Sequence, residues 1–270
     1  MRLAISNIAW LTEEETSILS LLKDYGVEGI EIAPTKYWPD PISATPAEIK
    51  GLKSRLNNAG FEIPAAQALL YGHPELVIFR DAETRARTLE YLVQIGILCS
   101  KLGIKTLIFG SPKNRVRKEL PMSAAMDIAS NFFYSVAQKI TPLEITLSIE
   151  PNPKEYGCDF IQTTQEGLEF VQHVNHPNFR LHLDTSAMTL NKEDPAQVIP
   201  LCLSMTRHVH ISEPHLGLPG SRQTDHRLIA ATLKRSGYDG WVSIEMRSGI
   251  EADNSVTVRR ALEYTRSIYR

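Results

Sequence analysis

Residues 144–186 read EITLSIEPNPKEYGCDFIQTTQEGLEFVQHVNHPNFRLHLDTS. In EITLSIEP, Ile145, Leu147 and Ile149 alternate with Thr146, Ser148 and Glu150. In FRLHLDTS, Leu181 and Leu183 alternate with Arg180, His182 and Asp184. A period of two is a strand signal, because successive side chains leave a pleated chain on opposite faces. A helical segment beginning near Thr164 lies between the two runs. Strand, helix and strand in that order make the repeating unit of a parallel sheet.

The same unit recurs on both sides. Further strand candidates are RLAISNIAW, EGIEIAP, FEIPAAQAL and IKTLIFG upstream, with RHVHISE and GWVSIEM downstream. The helix TEEETSILSLLKDYG has a Thr cap and closes on Gly26; TPAEIKGLKSRLNNAG opens with Thr45 and Pro46 and closes on Gly60. DAETRARTLEYLVQIGILCSKLG closes on Gly103, and the remaining helices begin near Met122, Asp194, Asp225 and Asp253. Capping residues in front and glycines behind are ordinary helix punctuation. Eight strand–helix units in about 250 residues, without a Ser/Pro-rich linker, predict a single (β/α)8 TIM barrel spanning residues 1–270. An open doubly wound sheet would want a glycine-rich turn after its first strand, and SNIAW has no glycine. The long segments FGSPKNRVRKEL and SEPHLGLPGSRQTD follow strand C-termini, where barrels carry their site loops.

Composition bounds the function. The chain is 43% hydrophobic and 22% charged with a formal net charge of −2. That balance offers no long-range pull on a phosphate backbone, which disfavours nucleic acid as a partner. Three scattered cysteines, Cys99, Cys158 and Cys202, make neither a disulfide framework nor a thiolate metal cluster, and they suit a reducing cytoplasm. No apolar run is long enough for a membrane span, and MRLAISNIAWLTEEE turns acidic too soon for a signal peptide.

The polar faces carry the chemistry. A barrel bore is normally packed with branched aliphatics. Here, if the aliphatic faces of four strands meet the helices, the inward faces are Thr146/Ser148/Glu150, Arg180/His182/Asp184, His208/His210/Ser212 and Trp241/Ser243/Glu245. Glu150, Asp184, His210 and Glu245 each stand near a strand's C-terminal end, one strand–helix unit apart, so they should converge at the barrel mouth. Three carboxylates gathered out of water repel one another unless a cation neutralises them. Three oxygen donors and an imidazole suit Mn²⁺, Mg²⁺, Fe²⁺, Co²⁺ or Zn²⁺. His208, one layer deeper, is expected to hydrogen-bond within the polar core. Any one of these residues alone would read as a solvated strand face; the recurrence on four successive strands favours the metal.

With those residues in view, the chain resembles the xylose isomerase-like TIM-barrel superfamily, in the branch of sugar-phosphate isomerases/epimerases and ketose 3-epimerases. The resemblance covers the whole chain and is most specific in SIEP, HLDT, HVHISE and SIEM, which carry the Glu, Asp, His, Glu quartet. LAISNIAW and GIEIAPTKYWP are similar to members described as sugar-phosphate isomerases. The resemblance implies one divalent metal ion holding adjacent sugar oxygens, with Glu150 and Glu245 as the acid/base pair and Asp184 and His210 fixing the ion. It also implies a carbohydrate substrate, an enediolate-type proton transfer, and a barrel that often pairs as a homodimer. One departure stands out: the epimerases usually place a histidine three residues after the aspartate, where DTSAM has Ala187.

Further substrate-binding candidates are Trp10 as a pocket wall, with Glu31 and Gln67 on sugar hydroxyls. Glu155 and Tyr156 follow Glu150, and His215 offers a replacement for the missing histidine. Lys113, Arg115 and Arg117 form a basic loop suited to a phosphate, as does Arg222. Two rival functions remain. A barrel could bind a sugar or a partner without turnover. An endonuclease IV-type repair enzyme would need three metals and more histidines than Gln67, Ala187 and the adjacent pair Asp225–His226 provide.

Overall fold

The computed structural model describes residues 1–221 and 223–270. Seven parallel strands form one curled sheet: β1 (Arg2–Ser6), β2 (Gly29–Glu31), β3 (Thr106–Phe109), β4 (Thr146–Ile149), β5 (Phe179–Asp184), β6 (Thr206–Ser212) and β7 (Trp241–Glu245). Their order is β2-β1-β7-β6-β5-β4-β3. The predicted third strand, FEIPAAQAL, fills the gap between β2 and β3 without becoming a full strand. It makes only isolated parallel bridges, Gly29↔Glu62, Ile32↔Ala66 and Ala66↔Leu107. Pro64 explains the interruption, since it has no N–H to give to a ladder. Backbone bonds on both sides still stitch the segment in: Ile30 N–H donates to Glu62 O, and Ala66 N–H to Thr106 O. The cylinder therefore closes as a TIM-barrel-like fold.

Nine α-helices are described: α1 (Glu15–Asp24), α2 (Pro46–Asn58), α3 (Ala82–Leu102), α4 (Met122–Ile140), α5 (Thr164–Val174), α6 (Thr185–Leu190), α7 (Pro195–Cys202), α8 (His226–Arg235) and α9 (Asn254–Tyr269). Their starts follow the expected punctuation. Thr45 and Thr163 make capping boxes with Glu48 and Glu166, and Asp81, Asp194, Asp225 and Asp253 cap α3, α7, α8 and α9. Thr12 does not cap α1. It opens a 3₁₀ turn, and the Glu14 carboxylate takes the Leu11 N–H instead, at 2.7 Å.

The aliphatic faces do meet the helices. Leu147, Ile149, Leu181, Leu183, Val209, Ile211, Val242 and Ile244 are buried in one apolar cluster with the helical residues. Phe133 of α4 stacks on Phe179 of β5 at 5.1 Å, and Phe170 of α5 packs edge-on against the same ring at 5.8 Å. Each such side chain contributes about 1.5–3 kcal/mol by leaving water. The opposite faces are thereby committed to the bore. No helix is long and apolar enough to cross a membrane among the described residues.

Candidate metal centre and active site

Strand register places the four expected ligands. Asp184 pairs with His210 across β5 and β6, and Ser212 pairs with Glu245 across β6 and β7. Glu150 follows β4 directly. One donor atom from each of Glu150, Asp184, His210 and Glu245 lies within 4.8 Å of every other. His210 Nδ1 is 3.3 Å from Glu245 Oε2, 3.9 Å from Asp184 Oδ2 and 4.0 Å from Glu150 Oε1. The imidazole is fully buried, while the Glu150 and Glu245 side chains are 15% and 12% exposed to the cavity above them.

The other ring nitrogen decides what Nδ1 can do. His210 Nε2 lies 2.9 Å from Glu31 Oε1, and His208 Nε2 lies 2.8 Å from Glu31 Oε2. Burial would raise the Glu31 pKa, but the two imidazoles outweigh it and hold the carboxyl well below its usual range. An ionised carboxylate only accepts, so both Nε2 atoms donate. His210 Nδ1 is thus left facing three carboxylates, buried and without a hydrogen-bond partner among the described residues. Burial disfavours a proton there, yet Glu31 and Glu245 overcome it and push the His210 pKa well above the ordinary value. Either a proton or a cation must therefore sit at Nδ1. This donor set, with its outer carboxylate fixing the tautomer, suits a divalent metal ion.

The carboxylates are arranged to match. Asp184 caps α6: Oδ1 accepts from Ala187 N–H at 2.6 Å and from Ser186 Oγ at 2.7 Å, while Oδ2 accepts from Ser212 Oγ at 2.5 Å. Burial, then Glu245 and Asp184, push the Glu150 pKa up to about 8. Burial also raises Glu245, against the opposing pull of His210. A β-carbon at Gly110 would overlap Glu150 Oε2, so a larger residue there would displace that carboxylate. One layer deeper, His182 lies 4.1 Å, ring to ring, from His210, and burial depresses its pKa well below the ordinary value.

Above the quartet opens a cavity of about 500 Å³. Gln67, Lys113 and His215 line it, as do Asn114, Asn152, Tyr156 and Ser186, while Ile108, Leu70 and Leu216 give it an apolar wall. Gln67 is steadied by donating to Ser6 Oγ at 2.6 Å. His215 and Leu216 both take left-handed backbone angles, with φ of 60° and 56°. The Tyr156 hydroxyl accepts the His215 N–H at 3.0 Å and braces that strained turn. Asn114, Asn152 and Ser186 were not foreseen; each is a small amide or hydroxyl in a loop or short helix, where sequence gives no facing signal.

Several expected positions are corrected. Trp10 is 1% exposed, belongs to the apolar core and does not line the cavity. Glu31 is wholly buried, with both oxygens taken by histidines, so it braces His210 and is not free for a sugar hydroxyl. Glu155 points to solvent away from the cavity, which its neighbour Tyr156 lines. The basic loop does not present three cations. Arg115 is buried on backbone carbonyls, and Arg117 is tied to Asp159 and Leu120 carbonyls, leaving Lys113 at the rim. Arg222 lies outside the described residues.

Comparison with known proteins agrees with this geometry. A family model described as a xylose isomerase-like TIM barrel matches residues 19–268. An L-ribulose 3-epimerase of Methylomonas sp. is 27% identical over 223 residues, 82% of this chain and 74% of that protein. A putative hydroxypyruvate isomerase of Streptomyces coelicolor is 34% identical over 226 residues, 79% of this chain and 80% of that one. Among solved structures, D-psicose 3-epimerase of Clostridium cellulolyticum H10 superposes with a TM-score of 0.83 at 18% identity, covering all of both chains.

Proposed function

Because the chain belongs to the xylose isomerase-like TIM-barrel family, we propose that it is a divalent-metal-dependent epimerase or isomerase of a sugar or sugar phosphate. The observation that carries this reading is the buried His210 Nδ1, aimed at three carboxylates beneath an open cavity. Glu150, Asp184, His210 and Glu245 would hold Mn²⁺, Mg²⁺, Co²⁺, Fe²⁺ or Zn²⁺. When bound, such an ion supplies positive charge that polarises adjacent hydroxyl and carbonyl oxygens and makes the neighbouring C–H easier to ionise.

The chain's own residues do the rest. Glu150 and Glu245 reach the cavity floor from strands separated by two others, so they flank whatever lies between them. Placed on either side of that space, the two carboxyls can take a proton from carbon on one face and return one on the other. Asp184, anchored at both oxygens, stays fixed. Gln67, Asn152, Tyr156, Ser186 and His215 offer donors and acceptors for sugar hydroxyls, and Lys113 offers a charge for a phosphate. Proton transfer followed by return to the opposite face is epimerisation; return to the neighbouring carbon is an aldose–ketose shift. The ribulose epimerase relative supports the first outcome and the hydroxypyruvate isomerase relative the second.

The deciding experiment supplies metal-loaded protein with ketoses, aldoses and their phosphates in D₂O. Deuterium should appear at the carbon beside the carbonyl, and product analysis separates the two outcomes. Glu150→Gln and Glu245→Gln should each lower exchange at least a hundredfold. No exchange from any substrate, in protein shown by elemental analysis to hold metal, would leave a binding barrel in its place.

A further inference from the structure

Arg115 ends the short 3₁₀ turn Pro112–Arg115 after β3 and is fully buried. Among the described residues its guanidinium meets only neutral acceptors. Nη2 donates to the Glu150 carbonyl at 2.5 Å and, at 3.4 Å, to that of Ile161, while Nε reaches Cys158 Sγ at 3.4 Å. Nη1 has no partner among the described residues. A buried guanidinium without a carboxylate on it is costly unless a nearby negative field compensates. The residue whose carbonyl it holds, Glu150, carries one edge of such a field.

We propose that Arg115 tunes the metal centre from behind Glu150, its buried charge limiting the centre's surplus negative charge. The inference rests on the metal-dependent reading above. Glu31, Glu150, Asp184 and Glu245 bring four negative charges, and a divalent cation offsets two of them. Arg115 offsets a third. A centre with less surplus negative charge accepts the anion of a deprotonated substrate more readily, though the same positive charge repels the cation. Removing Arg115 therefore acts in opposite directions on the two ligands, whereas damage to the fold would weaken both.

The test uses Mn²⁺ and oxalate, a small dianion with two adjacent oxygens, measured by calorimetry on the full chain. In Arg115→Gln, the Kd for Mn²⁺ should fall about threefold to thirtyfold, and the Kd of the Mn²⁺-loaded protein for oxalate should rise by a similar factor. Arg115→Lys, whose ammonium the neighbouring carboxylates keep protonated, should hold both constants within about threefold of the parent. Movement of both affinities in the same direction in Arg115→Gln, or no movement, overturns the proposal. If that variant does not fold, a tenfold change of either constant in Arg115→Lys overturns the charge argument, and parent-like values support it. Failure of the parent chain to bind Mn²⁺ would instead remove the metal-dependent reading, and Arg115's role with it.

Discussion

At the scale of single residues, the most informative group is one that touches no substrate. Glu31 holds His208 and His210 through its two oxygens, and in doing so leaves Nδ1 of His210 as the nitrogen facing the carboxylates. Glu31→Gln replaces one acceptor with an NH₂ group, so one imidazole must give up its donor bond or swap tautomer. If His210 is affected, the lone pair turns away from the centre. Metal affinity should then fall about tenfold to a hundredfold, read by Mn²⁺ calorimetry on protein whose circular dichroism is unchanged. An affinity equal to the parent's would mean that the amide oxygen stays on His210 and the change falls on His208. Sequence offers Glu31 as a partner for a sugar hydroxyl, and the structure sets it below the cavity on the two histidines. Alternation tells which way a side chain points, and says nothing about which layer of the bore it occupies or what meets it there. Trp10 was misplaced for the same reason: its aromatic character fits a cavity wall and a core equally well.

Elements were more legible than contacts. The four strands with aliphatic outer faces were readable because packing against helices leaves no tolerance for a polar residue there, and their lower neighbours followed from capping residues and glycines. The segment 61–67 was readable as a stave of the barrel but not as isolated bridges; Pro64 carried that information. Helix α6 was missed. It is only six residues long, and its start signal is Asp184 itself, a residue that also reads as a ligand. That double duty can be separated. Asp184→Asn keeps an acceptor for the Ala187 N–H and should preserve α6, with little change in Tm, while losing the charge that the ion needs. Asp184→Ala loses the cap as well, at about 1 kcal/mol, so its Tm should be about 2–4 °C lower than that of Asp184→Asn. Metal binding should fail in both variants. Identical melting of the two would mean that the cap does not stabilise the element.

For the whole molecule, the centre joins stability to pH. The folded Glu150 keeps its proton up to about pH 8, whereas an unfolded glutamate loses it near about 4.3. Across that window the metal-free folded chain binds more protons than the unfolded one, so its stability falls as pH rises, by up to about 1.4 kcal/mol per pH unit for one such group. His210, also raised, adds to the same slope above the ordinary imidazole range. Glu31 is shifted the opposite way, but it titrates below the ordinary carboxylate range, outside this window. A divalent cation must displace these protons, so its apparent affinity should rise about tenfold per pH unit toward pH 8 for each proton released. At a concentration of one hundred times the Kd, binding adds about 2.7 kcal/mol, or roughly 5–10 °C in Tm. Thermal melts with EDTA should therefore show Tm declining from pH 6 to 8.5. The same melts with a fixed Mn²⁺ concentration should show an increment that is small at pH 6 and near its full value at pH 8.5. An increment of equal size at both pH values would mean that no proton leaves when the ion arrives, which is incompatible with an imidazole nitrogen buried beside a Glu150 carboxyl that keeps its proton to about pH 8.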